Sequence, residues 1–348
     1  MTGLVPLALI LVSALIEPAR TAVHDFEFVT IIDVQTSVPG GHGTFSIFGA
    51  PSIDGDGNLV FCGRSDVDAP GIYAVVRGSL RVVADASTPI PGQDTTFAHG
   101  FRSYGASIDQ GNIAFYAFTQ STELGGGVYL WKDGAVDLVA DGNTPVPGGT
   151  ATFNSIEDPL GFGPFSHPPI SGVDVAFRAA ADNPRQRGVY VRVGGTLDVV
   201  ADLNDPVPDG IGDFTFLGAD ITIANGKVAF RGEGKEFQRG IYTNLTGPLT
   251  KVVDTTDSIP GGTGHFTSVE YPLFDGSTIL FPGEGADGQQ GIYVWDGGSI
   301  SKVVDRGTPI PDGAGTFTGF AFNVSQLCAD GGDVVFPDWD PTDRRAST

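Results

Sequence analysis

The chain has 348 residues, and its 41 acidic residues outnumber its 19 basic residues to give a net charge of -22. A charge of this sign repels phosphate backbones and anionic lipid surfaces, which disfavours nucleic-acid binding and electrostatic membrane binding. The 51 glycines and 24 prolines leave few uninterrupted stretches long enough for helices. The composition therefore predicts a β-rich chain with many turns.

An apolar run, LVPLALILVSALI, occupies residues 4–16. It is short for a bilayer crossing, which takes about 20 residues, and typical of the hydrophobic part of a signal peptide. We predict a signal peptide over residues 1–22 and a secreted or cell-surface protein without a membrane span after its removal. A buried strand or a misassigned gene start is the alternative, because no Lys or Arg precedes the run and Arg20 lies in the expected cleavage region.

The rest of the chain repeats one pattern, in which an aspartate follows a glycine by fourteen residues. A proline lies six residues and a phenylalanine twelve residues beyond each aspartate. The glycine and aspartate pairs are Gly71 and Asp85, Gly127 and Asp141, Gly188 and Asp202, Gly240 and Asp254, and Gly291 and Asp305. A sixth aspartate, Asp33, has Pro39 and Phe45 at the same offsets but no opening glycine. Spacings of 51 to 61 residues between these aspartates indicate a repeat architecture.

Four β-strands fit within one period, each ended by Gly, Pro, Asn or Asp. In the second copy we predict them at residues 97–109, 112–117, 127–132 and 135–141. The second strand of each copy carries a continuous apolar run, which indicates that both faces of the sheet are covered. Because no helical segment could cover them, each sheet must lie between two others. The prediction is an all-β, six-bladed β-propeller of four-stranded antiparallel blades.

The closing blade is expected to join the two ends of the chain. It would combine segments near Phe317 and residues 334–336 with the N-terminal residues 26–33, which supply its outer strand. No Gly-Ile-Tyr segment follows residue 337, so this blade would lack its third strand. We predict one propeller domain over residues 23–337, a disordered tail over residues 338–348, and a monomer.

The repeated residues have a structural interpretation. In VADGNTPVPGG, residues 139–149, the aspartate leaves the outer strand, and Thr144 can fold its side chain back onto the backbone. Proline and glycine then fix the loop that crosses to the next blade. The phenylalanine is expected to anchor the inner strand of that blade.

Residues 291–320, GIYVWDGGSISKVVDRGTPIPDGAGTFTGF, resemble the repeat of an uncharacterised family of exported bacterial proteins with a domain of unknown function. The resemblance covers residues 26–337 and implies export. It supplies no activity and no catalytic residues. Members of the family often end in a sorting segment, whereas PDWDPTDRRAST, residues 337–348, has no hydrophobic stretch.

Metal and cofactor motifs are sparse. Asp54, Asp56 and Asn58 have the alternating spacing of a calcium loop, but no glutamate follows at the twelfth position, and a hairpin turn explains the same residues. No HxH or HxxxH spacing exists for zinc, and GxSxG and GxxxxGK[ST] are absent. We predict no cofactor, with calcium at this loop as the alternative.

The third copy breaks the repeat with the longest insertions, and a break of this kind is where a ligand site is expected. Its first-strand insertion and its loop between the second and third strands carry the candidate ligand-binding residues Glu157, Asp158, His167, Arg178, Asp182, Arg185 and Arg187. Three arginines in so acidic a chain favour an anionic glycan or an acidic surface protein as partner. The alternative is that these arginines pair with the neighbouring carboxylates and hold the insertion in place.

Two functional hypotheses follow. The first is a non-enzymatic binding or scaffolding module, and the second is a polysaccharide hydrolase or lyase with its site at the channel mouth. A cluster of acid and base residues at that mouth would favour the enzyme, because a binding module does not need one.

The two cysteines, Cys62 and Cys328, are predicted to remain unbridged. Their expected positions on adjoining blades are about 15 Å apart at roughly 3.3 Å per residue, whereas a disulfide needs α-carbons within about 7 Å.

Overall fold

The computed structural model describes residues 8–12, 28–68, 70–98, 101, 106–118, 126–157, 167–181, 183–311, 314–320, 328–330 and 333–336. Its secondary structure consists of β-strands and two short 3-10 helices, at Pro184–Gln186 and Ala286–Gly288. No helix among these residues is long and apolar enough to span a membrane. The predicted signal-peptide boundary and the predicted tail, residues 338–348, lie outside the described residues.

The strands form five large sheets and two strand pairs. The N-terminal pair is β1 (Ala8–Val12) and β2 (Phe28–Asp33). Sheet I contains β3 (Phe45–Phe48), β4 (Ser52–Ile53), β5 (Leu59–Ser65), β6 (Gly71–Val76) and β7 (Ser79–Ala84). Sheet II contains β8 (Ala106–Asp109), β9 (Asn112–Phe118), β10 (Gly126–Lys132) and β11 (Ala135–Asp141). Sheet III contains β12 (Phe153–Glu157), β13 (Ile170–Ser171), β14 (Asp174–Ala181), β15 (Gly188–Val193) and β16 (Thr196–Asp202).

The remaining strands follow the same order. Sheet IV contains β17 (Phe216–Ala224), β18 (Lys227–Glu233), β19 (Arg239–Thr243) and β20 (Thr250–Asp254). Sheet V contains β21 (Phe266–Val269), β22 (Leu273–Phe274), β23 (Ile279–Gly285), β24 (Gln290–Trp295) and β25 (Ile300–Asp305). The C-terminal pair is β26 (Cys328–Asp330) and β27 (Asp333–Val335).

Each large sheet is an antiparallel meander in which neighbours in sequence are neighbours in space. The predicted four strands per period are thereby confirmed. The first strand position is interrupted in sheets I, III and V, where two short strands share it, and bulged in sheet IV between Leu217 and Ile221.

The sheets stack face to face, and the core lies between them. Phe115 of β9 belongs to the same core cluster as Ile72 of sheet I, whereas Ala114, one residue earlier on β9, belongs to the cluster that contains Phe153 of sheet III. Similar clusters join sheet III to sheet IV and sheet IV to sheet V. Because both faces of a sheet are buried, the second strands need the continuous apolar runs seen in the sequence.

The first strands of successive sheets converge. β4 contacts β8, β8 contacts β13, β13 contacts β17, β17 contacts β22, and β22 contacts β26. Four-stranded sheets that follow one another in the chain and converge at their first strands are arranged as the blades of a β-propeller. The first strands therefore line the inner side.

The crossing loops confirm the structural interpretation of the repeat. The Thr144 hydroxyl donates to the Asp141 carboxylate at 3.0 Å and accepts the Asp141 amide at 2.9 Å. Two copies use an aspartate in place of the threonine, for example Asp257, whose Oδ2 accepts the Asp254 amide at 2.8 Å. An isolated β-bridge closes the loop in all six copies. The chain thus turns between sheets in the same way each time.

The repeated aromatic and glycine residues form one interlocked unit. Phe97 meets Tyr129 edge to face with ring centroids 4.9 Å apart, and the four equivalent pairs in the other large sheets lie within 4.8 to 5.0 Å. A Cβ on Gly127 would lie 2.8 Å from the Tyr129 hydroxyl. Glycine is therefore required where the tyrosine side chain lies back over its own strand.

The chain ends differ from the prediction. β2 pairs with β1, and β26 pairs with β27, so among the described residues no sheet joins the two ends. Ile32 of β2 packs against Phe45 and Phe61 of sheet I. At the other end, Phe317 and Phe336 pack against sheet V. Each end therefore covers the outer face of the terminal large sheet nearest to it.

Candidate functional site

The predicted calcium loop is a hydrogen-bonded turn in this structure. Asp54 Oδ1 accepts the amides of Asp56 at 3.1 Å and Asn58 at 2.8 Å. Asp54 Oδ2 accepts the Gly111 amide of sheet II at 2.8 Å, which ties two sheets together. Among the described residues no group of three or more His, Cys, Asp and Glu side chains is placed to hold a metal ion. Calcium at this loop remains a prediction.

A cleft of about 420 Å³ lies beside this turn, between sheets I and II. Its lining includes Asp56, Asn58, Arg77, Arg81 and Trp131. Trp131 is buried and belongs to the core between the two sheets. Trp131 therefore contributes to the packing between the two sheets at this cleft.

His167, from the first-strand insertion of sheet III, reaches sheet II. Its Nδ1 lies 2.6 Å from the hydroxyl of Ser107, a buried residue of β8. Asp158 and Asp182 lie outside the described residues, and for Glu157 only the backbone, paired with Arg178, is described. None of the three acidic residues predicted for the ligand site in the third copy can therefore be assigned a side-chain contact.

Arg185 joins the loop between the second and third strands of sheet III to the crossing loop that follows the sheet. Its Nη2 donates to Asp213 Oδ2 at 2.6 Å, and its Nε donates to Asn204 Oδ1 at 2.8 Å. Arg185 and Asp213 are both about half exposed. The carboxylate that pairs with Arg185 is thus Asp213 of the next crossing loop. The sequence had suggested the neighbouring carboxylates of the insertion instead. Arg187 is exposed at the start of the third strand.

Arg178 lies elsewhere, between sheets III and IV. It is 8% exposed, and its guanidinium carbon lies 5.2 Å from the centre of the Phe216 ring. Arg231, on the second strand of sheet IV, places its own guanidinium carbon 5.8 Å from the same ring. Both distances fall within the range of cation–π contact. Arg178 is therefore brought together with Arg231, whereas Arg185 pairs with the crossing loop.

Carboxylates from sheets IV and V complete this group. Arg231 Nη2 donates to Glu233 Oε1 at 2.6 Å, and Arg231 Nε lies 3.8 Å from Glu270 Oε1. Asp220 lies in the bulge of β17, close enough to both arginines and to Glu270 for their charges to affect its ionisation. We define the Asp220 cluster as Arg178, Phe216, Asp220, Arg231 and Glu270.

Asp220 is the residue of this cluster with the most unusual ionisation. Burial and, to a lesser extent, the Glu270 carboxylate raise its pKa to about 6, although the guanidinium groups of Arg231 and Arg178 oppose the shift. Among the described residues, none donates a hydrogen bond to its carboxylate. A carboxyl group that titrates near neutral pH beside fixed cations can exchange a proton with a bound molecule.

Tyr271 adjoins the cluster in a strained conformation. Its φ of +49° is in the left-handed region, which a bulky side chain rarely adopts. Burial raises the pKa of its hydroxyl, as do Glu270 and Asp220, so the hydroxyl stays protonated at neutral pH. The tyrosine is thus a hydrogen-bond donor held next to the two carboxylates.

Sequence reasoning identified part of this cluster. Arg178 and Arg231 both follow the apolar run of a second strand, and Arg178 was a candidate. Asp220 was missed, although FLGADITIA contains a lone carboxylate within an otherwise apolar first strand. That signal was present in the sequence, but the bulge that turns Asp220 toward sheets III and V could not be deduced from it.

The fold and the cluster define the class of protein. Its repeated four-stranded sheets are arranged as propeller blades, and the Asp220 cluster lies near their converging first strands. Within this class the chain belongs to a family of unknown function, DUF7453, whose sequence profile matches residues 27–161 and 157–348. No match was found among curated proteins.

Several solved structures have a similar arrangement of strands. The β-propeller domain of the Trilobed protease from Pyrococcus furiosus is 12% identical, with 82% of this chain and 88% of that chain covered and a TM-score of 0.36. TolB from Acinetobacter baumannii is 14% identical, with 77% and 54% covered and a TM-score of 0.35. Oligogalacturonate lyase from Vibrio parahaemolyticus is 13% identical, with 81% and 69% covered and a TM-score of 0.37. At this level of similarity none of them assigns a ligand or an activity to this chain.

Proposed function

We propose that the protein is a secreted or cell-surface six-bladed propeller that acts as a binding module for an acidic glycan. The observation that carries the proposal is the meeting of Arg178 and Arg231 over one aromatic ring, with carboxylates from two sheets beside them. This group lies near the converging first strands, the side on which a propeller has its central channel. It is also the place where charged residues depart from the repeat.

The six-bladed arrangement is supported by two features of the chain. Six crossing loops share one bridged geometry, including those that begin at Asp33 and Asp305. The series of contacting first strands continues from sheet V to β26 in the C-terminal pair. A sixth sheet assembled from the two chain ends would complete that series.

The chemistry of the cluster fits a sugar that carries a carboxylate. Guanidinium groups donate in forked pairs to a carboxylate, and carboxylates accept hydrogen bonds from sugar hydroxyls. Arg231 is 15% exposed and Glu270 is 32% exposed, so the cluster is partly shielded from water. Shielding strengthens such contacts because the local dielectric is lower than in bulk water.

The test is binding of purified protein to polygalacturonate and to alginate, with an uncharged glucan as the negative control. Arg178→Gln and Arg231→Gln are each expected to weaken binding to the acidic polymers about tenfold or more. Arg64→Gln is the matched control, because Arg64 is an exposed arginine on the second strand of sheet I. Equal affinity for all four proteins would overturn the proposal.

A hydrolase or lyase is the second candidate, and Asp220 is the observation that favours it. The raised pKa of this carboxylic acid would let it donate or accept a proton near neutral pH. We expect Asp220→Asn to abolish release of reducing ends or unsaturated products if the protein is an enzyme. Asp198→Asn is the control, since Asp198 is an exposed carboxylate on a fourth strand. If the wild-type protein binds the acidic polymers but releases no product, the result favours the binding module over the enzyme.

A further inference from the structure

The third and fourth strands of every large sheet pair in one irregular register. In sheet II, Val128 pairs with Ala140, and the next residue, Tyr129, pairs with Leu138, so the fourth strand has one extra residue at this point. The same bulge occurs between the residue that follows the repeated glycine and the repeated tyrosine in sheets I, III, IV and V. This register is therefore a signature of the third strand position.

The N-terminal pair has the same signature. Ala8 of β1 pairs with Asp33, Leu9 pairs with Ile32, and Ile10 pairs with Thr30. Asp33 is the aspartate that opens the first crossing loop, as Asp141 does for sheet II. β2 thus holds the place of a fourth strand, and β1 holds the place of a third strand beside it.

The C-terminal pair supplies the other two places. β26 contacts β22 in the series of converging first strands, and β27 follows it as a second strand. The Phe317 and Phe336 rings lie 5.7 Å apart at 63°, as Phe153 and Phe177 do at 6.1 Å and 75° in sheet III. By these comparisons the two end pairs, which are separate sheets among the described residues, hold counterparts of the four strand places of a blade, and residues 8–12 have the counterpart of the third.

We propose that the third-strand place between β27 and β2 is a strand-binding site, and that its occupant in the full chain is the segment Ala8–Val12. The backbone of β2 offers the same bulged row of donors and acceptors as every other fourth strand. An extended segment adds to such an edge through main-chain hydrogen bonds. Removal of a signal peptide at residue 22 would empty the place and leave two strand edges exposed. The site would then accept another strand of the Gly-aliphatic-Tyr pattern.

The first experiment tests the register in the full chain. Leu11→Cys with Val29→Cys, introduced with Cys62→Ala and Cys328→Ala, places thiols on directly paired residues. Paired residues have α-carbons about 4.5 to 5.5 Å apart, which suits a disulfide. We expect the intact mass to fall by two hydrogens on mild oxidation. Leu11→Cys with Ile31→Cys is the out-of-register control and should remain reduced. Equal oxidation of both pairs, or oxidation of neither, would overturn the proposal.

The second experiment tests the empty place. A chain that begins at residue 23 is titrated with the peptide GIYVWDG, the sequence of residues 291–297, and its thermal unfolding is followed. We expect the peptide to raise the melting temperature of the shortened chain by several degrees, and to bind the full chain at least about tenfold more weakly. A peptide with the order of residues scrambled is the control. If the shortened chain does not fold, the disulfide result decides.

These outcomes are independent of the proposed glycan site. The strand site lies between the chain ends, whereas the Asp220 cluster is formed by sheets III, IV and V. Loss of glycan binding in Arg178→Gln with an unchanged disulfide would separate the two proposals. Peptide binding that is the same in the full and the shortened chain would reject the strand site and leave the glycan proposal untouched.

Discussion

The crossing loops and the Asp220 cluster use carboxylates in opposite ways. Burial opposes ionisation of Asp254, but hydrogen bonds from Thr256 and Gln238 and the charge of Lys251 outweigh it, so its pKa lies below the ordinary value. Asp220 has no such donors among the described residues, and its pKa rises to about 6. A carboxylate that recurs in every copy is satisfied locally, whereas the one that breaks the repeat can still exchange a proton.

This difference suggests how to separate structure from function in a repeat protein. Asp254 is fully buried and is held by the Thr256 amide of its own loop and by the side chain of Gln238, which directly precedes β19 of the same sheet. Arg231 and Glu270 come from different sheets and meet only when those sheets stack. Substitutions in the loops should therefore change stability first, and substitutions in the cluster should change binding first.

The largest effect is expected from deletion of residues 23–35, which removes β2. Ile32 is buried against Phe45 and Phe61, and its loss would expose the outer face of sheet I. We expect the free energy of unfolding to fall by at least about 3 kcal/mol. Thermal unfolding measures the change, and deletion of residues 338–348 is the control. An unchanged melting temperature would reject the role of β2 in covering sheet I and with it the six-bladed closure.

A smaller loss is expected from Asp254→Ala. The substitution leaves the buried Gln238 side chain and the Thr256 amide without their acceptor. The expected cost is about 2 to 3 kcal/mol, with glycan binding unchanged. Asp198→Ala is the matched control on the exposed surface. A loss of binding without a loss of stability would show that the loop carboxylates also serve the ligand.

The pH dependence of stability should distinguish Asp220 from Asp254. A folded pKa of about 6, above the ordinary value of 3.8, means that the folded chain binds the proton more tightly. Stability contributed by the protonated group is therefore present at low pH and is lost as the pH rises from about 4 to 6. Relative to Asp220→Asn, the wild type should lose about 1 to 3 kcal/mol over this window. Parallel curves for the two proteins in urea unfolding would contradict the shift.

A still smaller effect is expected from Arg185→Ala. Its ion pair with Asp213 is half exposed, and pairs of this kind contribute about 0.2 to 1 kcal/mol. We expect this loss of stability and no change in affinity for acidic glycans. Arg187→Ala serves as the companion variant, because Arg187 is exposed on the same loop. Weakened glycan binding in either variant would move the ligand site to this loop.

No effect is expected from reducing agents. Cys62 is a buried thiol in the core between sheets I and II. Intact mass before and after reduction should be the same, and the melting temperature should not change. A gain of two hydrogens on reduction would reveal a disulfide to Cys328.

The repeat made much of the fold predictable. The spacing of glycine, aspartate, proline and phenylalanine located the crossing loops, and the continuous apolar runs identified sheets covered on both faces. Residues 8–12 were assigned to a signal peptide, with a buried strand as the alternative, and in this structure they pair with β2. Sequence alone could not decide between these, because an apolar run of that length suits both a leader and a strand.

The sequence by itself determined the local units: the hairpins, the crossing loops and the faces that must be buried. These depend on residues close together in the chain, such as Asp141 with Thr144, and on a residue pattern that recurs in each copy. Only the tertiary structure decided which charged residues meet. Arg178, Asp220 and Glu270 come from three sheets, and their distances depend on the stacking of those sheets and on the bulge in β17. Stacking is set by packing over the whole core, and it cannot be deduced from the spacing of residues in the sequence.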